Sequence, residues 1–159
     1  MDRPTLIVVL FSALGCVPID GGAVEASWVV VTPDGRTISD CSCTCARVAK
    51  VRLKLEPLAG GADPCVGRDS CRFSCNLQSG ATRFDIPPGS YAISVVPVDA
   101  NGNDITDGEA GGDCRAEPGT NPVVREVVKG RVTGLDASIV LADCAPECGG
   151  SDDTKVCTR

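Results

Sequence analysis

Three of the chain's eleven cysteines stand at alternate positions, Cys41, Cys43 and Cys45. In an extended strand that spacing turns all three sulfurs to one face, ~6.6–6.8 Å apart along it. Three thiolates so arranged could hold Zn²⁺ or Cu⁺. As disulfide partners of one another they are disfavoured, because the spacing sits at the upper limit for a bridge and the side chains run parallel. Each is then expected to reach a separate partner, with Cys65, Cys71 and Cys75 the nearest supply. Cys114, Cys144, Cys148 and Cys157 complete a set of ten once Cys16 is set aside. The last three could close a small loop and send one bridge to Cys114. An even set fits a disulfide framework. A redox exchange role is not expected, since no C-x-x-C occurs to lower a thiol pKa.

A second pattern is oxygen-rich. Asp99, Asn101, Asn103 and Asp107 occupy positions one, three, five and nine of a calcium-loop spacing. The glycine required at position six is Asp104, and Ala110 stands where a bidentate Glu belongs. The plainer reading is a hairpin turn at Asn101-Gly102, whose residues tolerate positive φ. Catalytic constellations are absent. There is no His for a nucleophilic triad, and no carboxylate lies in an apolar stretch that would raise its pKa. Gly60-Gly61 and Gly111-Gly112 lack the Lys or helix of a phosphate-binding loop. The expectation is a non-enzyme without a cofactor.

The elements that must position these residues read as β throughout. Valine is abundant, large rings are few, and eighteen Gly with eleven Pro supply turns. The clearest strand is 48–57, with Val51, Leu53 and Leu55 on one face and Lys50, Arg52 and Lys54 on the other. A period of two with charge on one side means one face in water. Further strands are expected at 28–31, 36–38, 71–77, 83–98 (broken by a Pro-Pro-Gly corner) and 123–128. The last, 135–141, alternates through Leu135, Ala137, Ile139 and Leu141. Trp28 is expected in the core, 78–81 as a turn, and 59–70 and 99–121 as long polar loops. About seven short strands with regular turn signals predict a single antiparallel β-sandwich, rich in disulfides. The stretch FDIPPGSYAISVVPVDANGN is similar to part of the carboxypeptidase-regulatory-like and transthyretin-like sandwich domains. That resemblance implies a corner at Gly89 and a Tyr91 whose ring caps the core edge while its hydroxyl reaches solvent or backbone.

The N-terminal run LIVVLFSALGC, residues 6–16, is too short to cross a bilayer, which takes ~20 apolar residues. It has the length and place of an export signal. Ser12-Ala13-Leu14-Gly15-Cys16 resembles the lipobox of bacterial lipoprotein precursors, with Ala13 where Leu is usual. The resemblance implies cleavage before Cys16 and acylation of that cysteine. Val17 rather than Asp after it implies outer-membrane sorting. An ordinary cleaved signal and a secreted product are the alternative. Either route leads to an oxidising compartment, where disulfides persist. With no His and ten cysteines, disulfides are favoured over the thiolate metal site.

These readings divide the chain into a signal at 1–15, a tether at 16–26, a β-sandwich domain at 27–143 and a cysteine-containing tail at 144–159. The net charge of −6 argues against nucleic acid and anionic lipid as partners. The expected function is a lipid-anchored envelope protein that displays a binding surface for a protein or glycan, through loops 60–70 and 99–121. A thiolate metal-handling role for Cys41, Cys43 and Cys45, or a purely structural envelope role, are the alternatives.

Overall fold

The computed structural model describes residues 19–105 and 114–145. The export run with Cys16, Asp107 of the oxygen-rich pattern, and Cys148 and Cys157 of the tail lie outside the described residues.

Ten strands and three 3₁₀ turns occur among the described residues, in two sheets. β1 (Ala23–Val31) is the spine of the larger sheet. Its upper half, Trp28 to Val31, pairs with β10 (Ser138–Ala142) on one side, and Val30 and Val31 pair with β2 (Thr37–Ile38) on the other. Its lower half pairs with β9 (Val132–Gly134) and β5 (Ser79–Ala81). β7 (Ala116–Pro118) extends the sheet beyond β10. The smaller sheet runs in the order β4 (Arg72–Ser74), β3 (Lys50–Pro57), β6 (Gly89–Val98) and β8 (Val123–Val127), all antiparallel. Buried residues of both sheets, among them Trp28, Val30, Leu53, Leu55, Ile93, Val95 and Val140, form one core. The molecule is a disulfide-containing, sandwich-like all-β fold.

Four expectations are corrected. The sheets are not purely antiparallel, because β1 runs parallel to β9 and β10. Ten strands rather than seven occur among the described residues, the unexpected ones being three-residue pieces: β5 and β9 beside β1, and β7 beside β10. The fold begins inside the stretch read as tether. Gly21 and Gly22 donate to the carbonyls of Phe84 and Ile86 at 3.1 and 2.9 Å, and Ala23, Val24 and Ala26 are buried. Both glycines are required there. A Cβ would stand 2.3 Å from the Ile86 carbonyl oxygen at Gly21, and 2.6 Å from a Val127 methyl at Gly22.

The fourth correction is one of parity. Glu25 to Trp28 is three steps on β1, whereas its partners Gly134 to Ser138 span four. One extra residue is a bulge, and it turns every later side chain to the opposite face. Ser138, Val140 and Ala142 are therefore buried, whereas Ala137 is exposed and Leu135, Ile139 and Leu141 are only half-buried.

Candidate functional site

The segment 40–48 is a knot rather than a strand. Asp40 accepts from the Ser42 amide at 2.9 Å and opens a 3₁₀ turn, Cys41–Cys43. That amide bond, more than any other contact, holds the Asp40 carboxyl below its usual range. Thr44, fully buried, donates its hydroxyl to the Cys41 carbonyl at 2.8 Å and accepts from the Val48 amide at 2.7 Å. Arg47 adopts a left-handed φ of 53°. The even spacing of the cysteines therefore does not place them on one strand face.

Their sulfurs are already bonded. Cys41 bridges to Cys75, Cys45 to Cys114 and Cys65 to Cys71; Cys43 and Cys144 are disulfide-bonded too. Cys41 and Cys45 do take separate partners. The sequence reading missed two details: Cys65 and Cys71 pair with each other across one small loop, and Cys114 goes to Cys45 instead of the tail. A disulfide sulfur is not the thiolate that zinc or copper binds, so the Cys41–Cys43–Cys45 metal reading fails in this oxidised state.

Residues 99–103 of the oxygen-rich pattern fold as a hairpin turn. The Asp99 carboxylate accepts from the Asn103 amide at 2.8 Å and from its side-chain nitrogen at 3.1 Å. Gly102 takes φ 87°, as the turn requires. Hydrogen bonding, first from the Asn103 backbone, lowers the Asp99 pKa. Asp99 and Asn103 are thus committed to each other, and no cluster of metal-binding side chains occurs among the described residues.

The site that sequence reasoning missed is Arg52. It lies on the outer face of β3, where charge was expected to meet water, yet it is only 8% exposed. Its Nε and Nη2 donate to the two carboxylate oxygens of Asp104 at 3.0 and 2.7 Å, and Nη1 donates to Asp63 at 3.0 Å. Burial works against the guanidinium's charge, but Asp104 and Asp63 outweigh it and raise its pKa. Asp63 does more. Its other oxygen accepts from the amides of Leu55 and Cys65 at 3.2 and 2.8 Å, satisfying the β3 edge where no strand pairs. Asp104 is held from the opposite side by a bridge to Val98, and the Ile105 amide donates to the Pro97 carbonyl at 3.1 Å. One side chain thus ties together the two loops named as recognition elements. No local signal announces this, because Asp104 is 52 residues from Arg52 and the fold of the loop after β3 decides that Asp63 turns back onto it.

Beside this junction runs a groove of about 430 Å³. Its floor is Lys54, Ser94 and Val96 of the smaller sheet, and its walls include Asp104, Glu117 and Asn121. The groove is mixed in character, with Val96, Ile105, Ala116, Pro118 and Pro122 set among its polar residues, and lies in the half of the sandwich away from Gly21 and Gly22. It is the concave surface next to the Arg52 junction, and no residue of the first loop, 60–70, lines it. No helix of the described residues is long and apolar enough to cross a membrane. No family model matches the sequence, and no curated protein or solved structure matches it either.

Proposed function

We propose that the chain is a lipid-anchored bacterial envelope protein, acylated at Cys16 and sorted to the outer membrane, whose domain is a non-catalytic binding module for a protein or glycan. Its sandwich belongs with the immunoglobulin-like and transthyretin-like architectures. The Tyr91 hydroxyl donating to the Pro87 carbonyl at 2.8 Å supports that reading, since such a tyrosine corner recurs in sandwich folds.

The observation that carries the binding reading is the Arg52 junction. A groove whose wall is fixed by a bidentate ion pair is ready before a ligand arrives, and preorganisation saves the ordering entropy that binding otherwise costs. Its lining, with Lys54, Asp104, Glu117 and Asn121 beside Val96, Ile105, Pro118 and Pro122, suits peptide or sugar ligands, which offer donors and acceptors together with apolar faces. The test is a photo-crosslinking residue at Ser94 in the groove, compared with one at Leu77 outside it, in intact cells. A discrete adduct at Ser94 alone is expected. Equal adducts at both positions, or none at Ser94, would contradict a groove-based module.

A further inference from the structure

Single exposed apolar side chains are ordinary on a protein surface, but a cluster marks a contact. Nine large hydrophobic residues are exposed among the described residues, and four of them, Ile19, Phe84, Val128 and Val132, surround Gly21 and Gly22. Hydrogen bonds fix that neighbourhood. The Gly21 amide donates to the Phe84 carbonyl, the Gly130 amide donates to the Gly21 carbonyl at 2.9 Å, and Ala23 pairs with Val132. Ile19 is two residues upstream of Gly21. The four are 39–52% exposed.

Charge at this end differs from the molecule's average. Arg83, Lys129 and Arg131 are exposed beside the apolar residues. Asp20 pairs with Lys129 at 3.9 Å and Asp85 with Arg68 at 3.3 Å, so Arg83 and Arg131 are the basic residues here outside these pairs, with Glu126 the other exposed acid nearby. A net charge of −6 argued against an anionic surface, yet that sum averages over the whole chain, and at this end Arg68, Arg83, Lys129 and Arg131 outnumber Asp20, Asp85 and Glu126 by one.

The length of chain leading here decides what covers it. On the lipid-anchor reading, Cys16 is the attachment point and Gly21 is already bonded into the fold. Five residue steps separate them, spanning at most ~18 Å even when fully extended. A membrane's polar layer is itself roughly 5–8 Å deep on each side. The end that carries Gly21 must therefore face the bilayer at close range. We infer that the surface formed by Ile19, Phe84, Val128 and Val132 seats directly on the phospholipid bilayer. The apolar side chains enter the headgroup layer and Arg83, Lys129 and Arg131 meet phosphates, as an apolar and basic face does at an interface. The tether is then a short hinge above a docked domain rather than a stalk. This inference rests on the anchoring proposed above, and it leaves the groove facing away from the membrane.

The experiment uses the full mature protein purified from membranes and reconstituted in phosphatidylethanolamine–phosphatidylglycerol vesicles that contain a photoactivatable phospholipid. Mass spectrometry maps the adducts, after the intact mass has established acylation. Adducts are expected on peptides holding Phe84 and residues 128–132, at least about tenfold above those holding residues 33–36 or 99–103 at the opposite end. Replacing Val132 and Ile19 by Ser, at positions roughly half exposed, should lower the yield at Phe84 about fivefold. Lys129→Glu with Arg131→Glu should lower it severalfold in these vesicles and much less in phosphatidylcholine. Acylated protein with adducts spread evenly over both ends would overturn the seating and leave the anchor intact. Protein without acyl chains would overturn both.

Discussion

At Arg52 one guanidinium joins two loops and a strand, and the cost of losing it follows from what remains. Asp63 has a side chain only 10% exposed, so its carboxylate would stay buried and lose its counter-ion. Arg52→Ala should therefore destabilise the domain by about 3 kcal/mol, measured by chemical denaturation. Asp104 is 38% exposed, and water can replace part of what Arg52 gives it. Asp104→Asn should cost under about 1 kcal/mol. Tyr91 offers a cleaner titration, being the chain's single tyrosine. Burial raises its phenol pKa above the unfolded value. The neutral form is favoured by folding, so this contribution is complete below the unfolded pKa of about 10 and is lost as pH rises through the folded one. Tyr91→Phe should cost about 1 kcal/mol at pH 8, through the lost bond to Pro87, and should flatten the alkaline fall in stability. Phenolate absorbance against pH gives the folded pKa directly. The inward set Val51, Leu53 and Leu55 was legible from alternation, and so was the buried Trp28. Arg52 was not, because a residue's exposure on a sheet's outer face depends on which loops cross it.

For the elements, legibility tracked length and regularity. The eight residues of β3 and the ten of β6 carry their own period and were readable. β5 and β9, three residues each, exist only because β1 offers them an edge, and their sequences hold no pattern of their own. The bulge before β10 defeated the parity of the last strand, since an inserted residue is silent in composition. The parallel partners of β1 were likewise out of reach, for strand direction is fixed by tertiary path. Close packing at glycine is another property that sequence conceals. A Cβ on Gly80 would stand 2.4 Å from the Phe73 ring, which stacks with Trp28 at a centroid distance of 6.0 Å. Gly80→Ala is expected to cost roughly 1–3 kcal/mol by overpacking. Gly130→Ala, with open space around it and φ 73°, should show only backbone strain near 1 kcal/mol. Thermal denaturation of the two variants side by side checks the difference.

The whole molecule has two unlike ends. Near Gly21 the chain enters the fold with apolar and basic side chains around it, while the Cys45–Cys114 bridge closes the far end, beyond Val31 and Leu141. The even cysteine count pointed to disulfides, but spacing alone could not say which sulfurs meet. The bridges should differ in worth, since cross-linking restrains the unfolded chain more when the loop is long. Replacing Cys45 and Cys114 by Ala opens a 69-residue separation, and replacing Cys65 and Cys71 a 6-residue one. The first pair should cost about 4 kcal/mol and the second about 2 kcal/mol, read from denaturant midpoints. Export, acylation at Cys16 and oxidation of the remaining cysteines can be read together in one experiment. The direct measurement is an intact mass of the protein extracted from bacterial membranes without reductant. A polypeptide that starts at Cys16, carries acyl chains, and is lighter by two hydrogens for each bridge is expected, with no thiol open to alkylation. A mass that retains the residues before Cys16, lacks acyl chains or shows free thiols would contradict that expectation.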